Sequence, residues 1–334
     1  MKLNRWFALG LVLLSFLAQA QTELRLAVHQ SFSLPKELLA EFERNNDVKL
    51  KIIKVGGGSE MLNKLILTRA NPIADVVYGL DNTNVIKARQ FDILASHQPE
   101  SRAVTMSLPQ IVAIDYGYVT INYDKAWFAR HRLPLPSSLD ELTHSKYKDL
   151  LAVPNPTTSV VGLNFLMANI GTLGEQATWT WWERMRQNGI KITRSWSDAY
   201  YTEFTLNGGS RPMVVSYASS PAAELFYSKG KYQKAPSGNL LLNGGIFLQT
   251  EGAAVLNRTP QPQLAAKLVQ FLQSNQVQTA IPTQMWMYPA VKDIAVPEVM
   301  KQMQVNINPK QPDAKEILIN QQRWIRQWIK TVLR

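Results

Sequence analysis

The sequence predicts an α/β protein of two lobes, each a mixed β-sheet flanked by helices, with hinge strands joining them. Three observations predict it. Strand and helix patterns alternate from residue 23 to residue 78, which argues for a parallel sheet with crossover helices. A long β-rich run, VAIDYGYVTINY at 112–123, has Gly117 at its middle and suits a strand that passes between lobes. The α/β pattern then restarts in the middle of the chain and again after residue 242.

The elements follow in order. Residues 23–29 (ELRLAVH) alternate and then turn apolar, as a first strand does. Residues 34–45 place Leu38, Leu39 and Phe42 at helical spacing. VKLKIIKV at 48–55 is a second strand. A Gly56-Gly57-Gly58-Ser59 turn leads into a helix over 60–70, and DVVY at 75–78 is a third strand. In the middle region, strands are expected at 151–153, 191–193 and 212–217, and helices at 161–170 and 177–188. Toward the end, a strand at 245–249, a helix at 262–274, a helical step at 277–281 and a closing helix at 323–332 are expected. Trp324 and Trp328 lie one turn apart on that last helix. The simplest division is discontinuous: residues 21–115 and 243–334 form lobe one, and residues 116–242 form lobe two.

Residues 1–20 read as a secretory signal peptide. Lys2 and Arg5 precede an apolar run at 6–17, and Ala18-Gln19-Ala20 is a small-x-small cleavage motif. The run is shorter than the roughly 20 apolar residues a bilayer span needs. The mature chain is therefore expected to start at Gln21 and to act in the periplasm. The chain has no cysteine. That excludes disulfides, thiolate metal sites, a cysteine nucleophile and a lipid anchor on a junction cysteine. The formal net charge is +11. Its basic residues are scattered, with no dense Lys/Arg run or nucleic-acid signature, so no nucleic-acid partner is expected.

Motifs for chemistry are sparse. The four histidines (His29, His97, His131, His144) lack zinc-site spacing, and no G-x-S-x-G elbow is present. The Gly56–Ser59 turn precedes a helix, where free N–H groups suit an anion. It reads equally as a tight turn capped by Ser59. Thr157-Thr158-Ser159 before Val161 is a second such turn, again either an oxygen site or a run of capping residues. Trp196, Tyr217, Trp286 and Tyr288 sit among Ser, Asp, Thr and Gln rather than in apolar periods. Aromatics from separate segments can build a stacking box for a flat cation, each face adding about 0.5–2 kcal/mol. Asp75, Asp81 and Asp198 are the acids placed nearest the cleft, each also a candidate cap or salt-bridge partner.

At these loops the sequence resembles the periplasmic thiamine-binding proteins of bacterial ABC importers. The segments that carry the resemblance are ADVVYGLDN (74–82), DYGYVTINYDK (115–125), WSDAY (196–200), SYASSPA (216–222) and AIPTQMWMYP (280–289). The resemblance implies a two-lobe periplasmic-binding-protein fold, type II-like, and a receptor rather than an enzyme. It implies thiamine, thiamine phosphate or thiamine diphosphate as ligand, no cofactor, no metal, an inner-membrane ABC permease as partner, and a monomer. On matching positions it makes Trp196, Tyr217 and Trp286 ring contacts, Ser159 and Ser220 polar contacts, and Gly58 a backbone contact. Two positions depart from the family pattern. His29 stands where the first strand ends in an aromatic, and Gly57 stands where the turn offers an acid. The alternatives are a receptor of the same fold for ferric ion, a polyamine or another heterocycle, and a secreted hydrolase. Tyr200-Tyr201 with His29 is similar to the ferric receptors' ligand set, but Tyr217 is followed by Ala218 where those receptors place a second tyrosine.

Overall fold

The computed structural model describes residues 21–303 and 305–334. The expected signal peptide lies outside the described residues. The chain opens with β1 (Thr22–Val28), α1 (Lys36–Asn46), β2 (Val48–Lys54), α2 (Gly58–Leu67), β3 (Val76–Asp81) and α3 (Val85–Gln90). Next come β4 (Val112–Asp124), α4 (Lys125–His131), β5 (Leu151–Pro154), α5 (Val160–Leu173), α6 (Glu175–Gln187) and β6 (Lys191–Thr193). They are followed by α7 (Trp196–Asp198), β7 (Met213–Tyr217), α8 (Ser220–Tyr227), β8 (Ser237–Leu240) and β9 (Phe247–Val255). The chain finishes with α9 (Pro262–Leu272), α10 (Asn275–Gln284), β10 (Tyr288–Pro289), α11 (Glu298–Lys301) and α12 (Ala314–Val332).

The strands form one sheet in the order β2-β1-β3-β9-β4-β7-β5-β6, with β8 and β10 also paired to β4. Each half of it is mixed. β2, β1 and β3 run parallel and meet antiparallel β9; β6, β5 and β7 run parallel and meet antiparallel β4. β4 joins the halves. Its Val112–Val119 stretch pairs with β9, and Val119–Tyr123 pairs with β7. The lobe boundary read from the sequence at 115/116 falls inside this strand. Short crossover helices return each parallel strand to the same end of the sheet, which is where open α/β sheets hold their ligands.

Two expected elements are longer in the structure. The strand expected to end at Gln249 runs on to Val255. Gly252 continues it because a side chain there would meet the Val112 carbonyl at 2.8 Å. The closing helix starts at Ala314 rather than 323: Asp313 caps it, accepting the Glu316 N–H at 2.8 Å, and Glu316 returns a bond to the Asp313 N–H. Trp324 and Trp328 are both buried. Trp328 packs edge-on against Trp182 of α6 at 5.6 Å, and Arg323 pairs with Glu175. The helix at the chain's end therefore lies on the middle segment as well as on α3.

Candidate functional site

Residues that follow β1, β2, β5, β6 and β7 line a cavity of about 880 Å³, a size suited to a small organic ligand. α2, α5 and α8 all begin on its wall, at Gly58, Val160 and Ser220. The N–H groups of a first helical turn have no partner within the helix and carry partial positive charge. The halves also touch across the cavity. A Cβ at Gly57 would stand 2.7 Å from the Thr158 carbonyl oxygen, and one at Gly58 would stand 2.5 Å from Val160 Cγ2. On the same side, Arg194 donates from Nε and a terminal nitrogen to Glu60, at 3.1 and 3.0 Å.

The aromatic side chains form the walls. Trp196 opens α7, which Ser195 caps. Its ring stacks on Tyr200 at 5.2 Å, meets Tyr217 edge-on at 6.1 Å, and its Nε1 donates to Ser216 Oγ at 2.7 Å. Ser216 Oγ also lies 2.9 Å from Ser220 Oγ, so one hydroxyl chain fixes the Trp196 plane. Trp286 comes from the other half, between α10 and β10. Its φ of +57° is a left-handed conformation that costs a bulky residue roughly 1–3 kcal/mol. The Ser219 hydroxyl donates to its carbonyl at 2.6 Å, and its ring is flanked by Phe226 and Tyr227. Ser159 precedes α5 and makes no cap bond with its hydroxyl, which stands on the cavity wall.

Two residues named from the sequence sit elsewhere. Tyr288 is buried in β10, stacked on Tyr116 at 5.4 Å, and its hydroxyl donates to the Met300 carbonyl at 3.1 Å. Thr158 is turned away from the wall, its hydroxyl donating to the Arg194 carbonyl at 2.5 Å. Asp75 is also displaced from the cleft. It lies at the opposite end of β3, where Arg25 grips it from backbone and guanidinium; these bonds outweigh burial and hold its carboxyl below the usual range.

Carboxylates that the sequence reading passed over dominate the electrostatics. Glu60, Glu224 and Glu251 line the cavity together with Asp198. Beneath it, Glu251 of β9 pairs in register with Asp81 of β3 on one side and Asp115 of β4 on the other. His29 Nε2 stands 3.7 Å from Glu251 Oε2. Burial, with repulsion from Glu251, raises Asp115 well above the usual carboxylate range, although the Tyr78 hydroxyl donates to it. Asp81 is pushed up to about 6, mainly by burial and despite its bonds to the Thr83 hydroxyl and the Thr83 and Asn84 N–H groups. Ionised Asp81 therefore weighs against folding by roughly 3 kcal/mol. This opposition is absent below the unfolded value near 4, grows as pH rises through 6, and is complete above it. Asp81→Asn keeps an accepting oxygen for the turn. Urea melts should show it more stable than the native chain by about 1–3 kcal/mol at pH 8 and equal to it at pH 4.

Of the tyrosine pair in the ferric alternative, Tyr200 gives its hydroxyl to Glu224 and Tyr201 is exposed.

The model of bacterial extracellular solute-binding proteins matches residues 27–279. The chain belongs to that family. This solute-binding protein is 32% identical over 297 residues to the thiamine-binding periplasmic protein of Salmonella typhimurium, an alignment covering 88% of this chain and 87% of that one. A solved structure titled periplasmic thiamin binding protein superposes with a TM-score of 0.84 at 28% identity, covering 95% of this chain and 98% of that one. The ferric binding protein from Campylobacter jejuni shares the fold, with a TM-score of 0.73 at 16% identity over 92% of this chain and 99% of that one. The family places this solute-binding protein among two-lobe receptors, which bind a solute without transforming it.

Proposed function

We propose that this protein captures thiamine, or a phosphate ester of it, in the periplasm and delivers it to an inner-membrane ABC permease. The observation that carries this reading is the pairing of aromatic walls with an acidic floor. Trp196 and Tyr217 from one half and Trp286 from the other border a cavity whose floor holds Glu251. A flat cationic heterocycle satisfies both, through stacking and cation–π attraction and through the carboxylate field. The helix starts at Gly58 and Val160 offer N–H groups to a phosphate tail. A ligand touching both halves favours the state in which they meet, and that closed form is the one a permease distinguishes from the empty receptor. In this reading residues 1–20 are removed on export, the receptor works as a monomer, and no cofactor takes part.

Titrating thiamine, thiamine phosphate and thiamine diphosphate into the exported form should quench tryptophan fluorescence saturably, since Trp196 and Trp286 both border the site. Calorimetry on the same samples gives the order of preference. Absence of quenching, heat and thermal shift with all three compounds would remove thiamine as the ligand.

A further inference from the structure

We infer that Glu251 makes the receptor selective for the charge of the ligand ring, favouring a quaternary cation over a neutral ring of the same shape. The inference rests on the thiamine reading of the cavity and deepens it. Three strands bring Asp81, Glu251 and Asp115 side by side on one face of the sheet. Like charges directly opposite one another on neighbouring strands repel. Asp81 and Asp115 are fully buried and Glu251 is only 5% exposed. Their partners are neutral: Thr83 and the Asn84 N–H for Asp81, Tyr78 for Asp115, and the Gln249 amide for Glu251 Oε1 at 2.7 Å. One oxygen each of Asp81 and Asp115 is buried without a hydrogen bond. Among the described residues no lysine or arginine forms an ion pair with any of the three, and His29 Nε2 lies 3.7 Å from Glu251.

Glu251 is the member of this row that reaches the cavity wall. Its Oε2 accepts no hydrogen bond from the described residues, while its side chain is more than nine-tenths buried. The rest of the wall does not cancel it. Asp198 and Glu224 add negative charge, and among the described residues the wall's one arginine, Arg194, is paired with Glu60. The charged side chains of the wall thus have an acidic balance, opposite in sign to the +11 of the whole chain. A quaternary ring nitrogen has no N–H, so charge is the property by which a protein can read it. A nearly buried carboxylate reads charge strongly, because low-dielectric surroundings screen it little. Tyr217, on the same wall, feels that field: burial first, and then Glu251, Asp81 and Asp115, raise its phenol well above the usual range.

The test compares thiamine with 3-deazathiamine, whose neutral thiophene replaces the thiazolium, by calorimetry on the native chain and on Glu251→Gln. The native chain should bind thiamine at least tenfold more tightly than the neutral analogue. Glu251→Gln should bring the two within about threefold, through a loss on the thiamine side alone. Equal binding of both compounds by the native chain overturns the inference and leaves the ligand reading standing; this arm needs no variant to fold. An equal loss for both compounds in Glu251→Gln also overturns it, because the residue then acts only on cavity shape. If the native chain binds neither compound, the ligand reading itself falls and the inference with it.

Discussion

Gly57→Ala is expected to weaken thiamine binding by about 10–100-fold while leaving the stability of the empty protein within about 0.5 kcal/mol of native. The two halves of this expectation have separate causes. Gly57 has φ −78° and ψ 168°, extended backbone that any residue adopts, so alanine introduces no local strain. As the residue before α2, alanine replaces a glycine that already lacks a capping side chain, a change worth only tenths of a kcal/mol. The cost arises across the cavity. The new methyl would stand 2.7 Å from the Thr158 carbonyl oxygen and 3.6 Å from Ser159 Cα. Those are backbone atoms and cannot rotate away. Overfilling a packed contact costs about 1–3 kcal/mol, and each 1.4 kcal/mol is tenfold in affinity. Only the state in which the halves meet bears that cost. Calorimetry gives the affinity, and small-angle scattering with saturating ligand should show a more open particle than native. A native-like dissociation constant would mean that the contact is not part of the bound state.

The second large effect falls on stability. Trp328→Ala should cost about 3–5 kcal/mol, the range for deleting a fully buried tryptophan. Trp328 is wholly inaccessible and sits edge-on against Trp182, which in turn meets Trp181 and Phe165 edge-on at 5.1 and 6.1 Å. Removing one ring leaves the others facing a void too large for the backbone of α12 and α6 to close. Denaturant unfolding monitored by circular dichroism measures the loss. A value under about 1.5 kcal/mol would show that α12 repacks, and the helix would then be peripheral rather than part of the shared core.

The fold was largely legible because its signals are local. Alternation marked β1, and helical spacing of Leu38, Leu39 and Phe42 marked α1, where Phe42 is buried. The continuity of β4 was visible in one unbroken β-rich run. The site was legible in part. Polar-flanked aromatics pointed to Trp196, Tyr217 and Trp286, and all three border the cavity. Tyr288 shares the polar-flanked context of Trp286, but it lies in β10 and its ring is buried. Asp75 was placed at the cleft by its sequence neighbours, although it lies at the amino end of β3 and the cavity at the carboxyl end. Glu251 was missed because the strand expected from the sequence ends at Gln249, two residues short of it, whereas the observed strand runs to Val255. Neither the Glu251 row nor the Arg194–Glu60 pair has a local signature, since their members lie 34 to 170 residues apart.

β4 carries a further implication for how the molecule is assembled. Its 13 residues hydrogen-bond to β9 at one end and to β7 and β8 at the other. Neither lobe holds its own complete set of strands. One hydrophobic cluster likewise includes Leu80 and Ala254 from one end of the sheet together with Val153 and Met213 from the other. Expressed alone, either lobe would present an open sheet edge and half of a core. The lobes are therefore parts of a single folding unit rather than two domains tethered by a linker. Any opening or closing between them therefore bends strands that stay paired, β4 above all, rather than swinging on a loose tether.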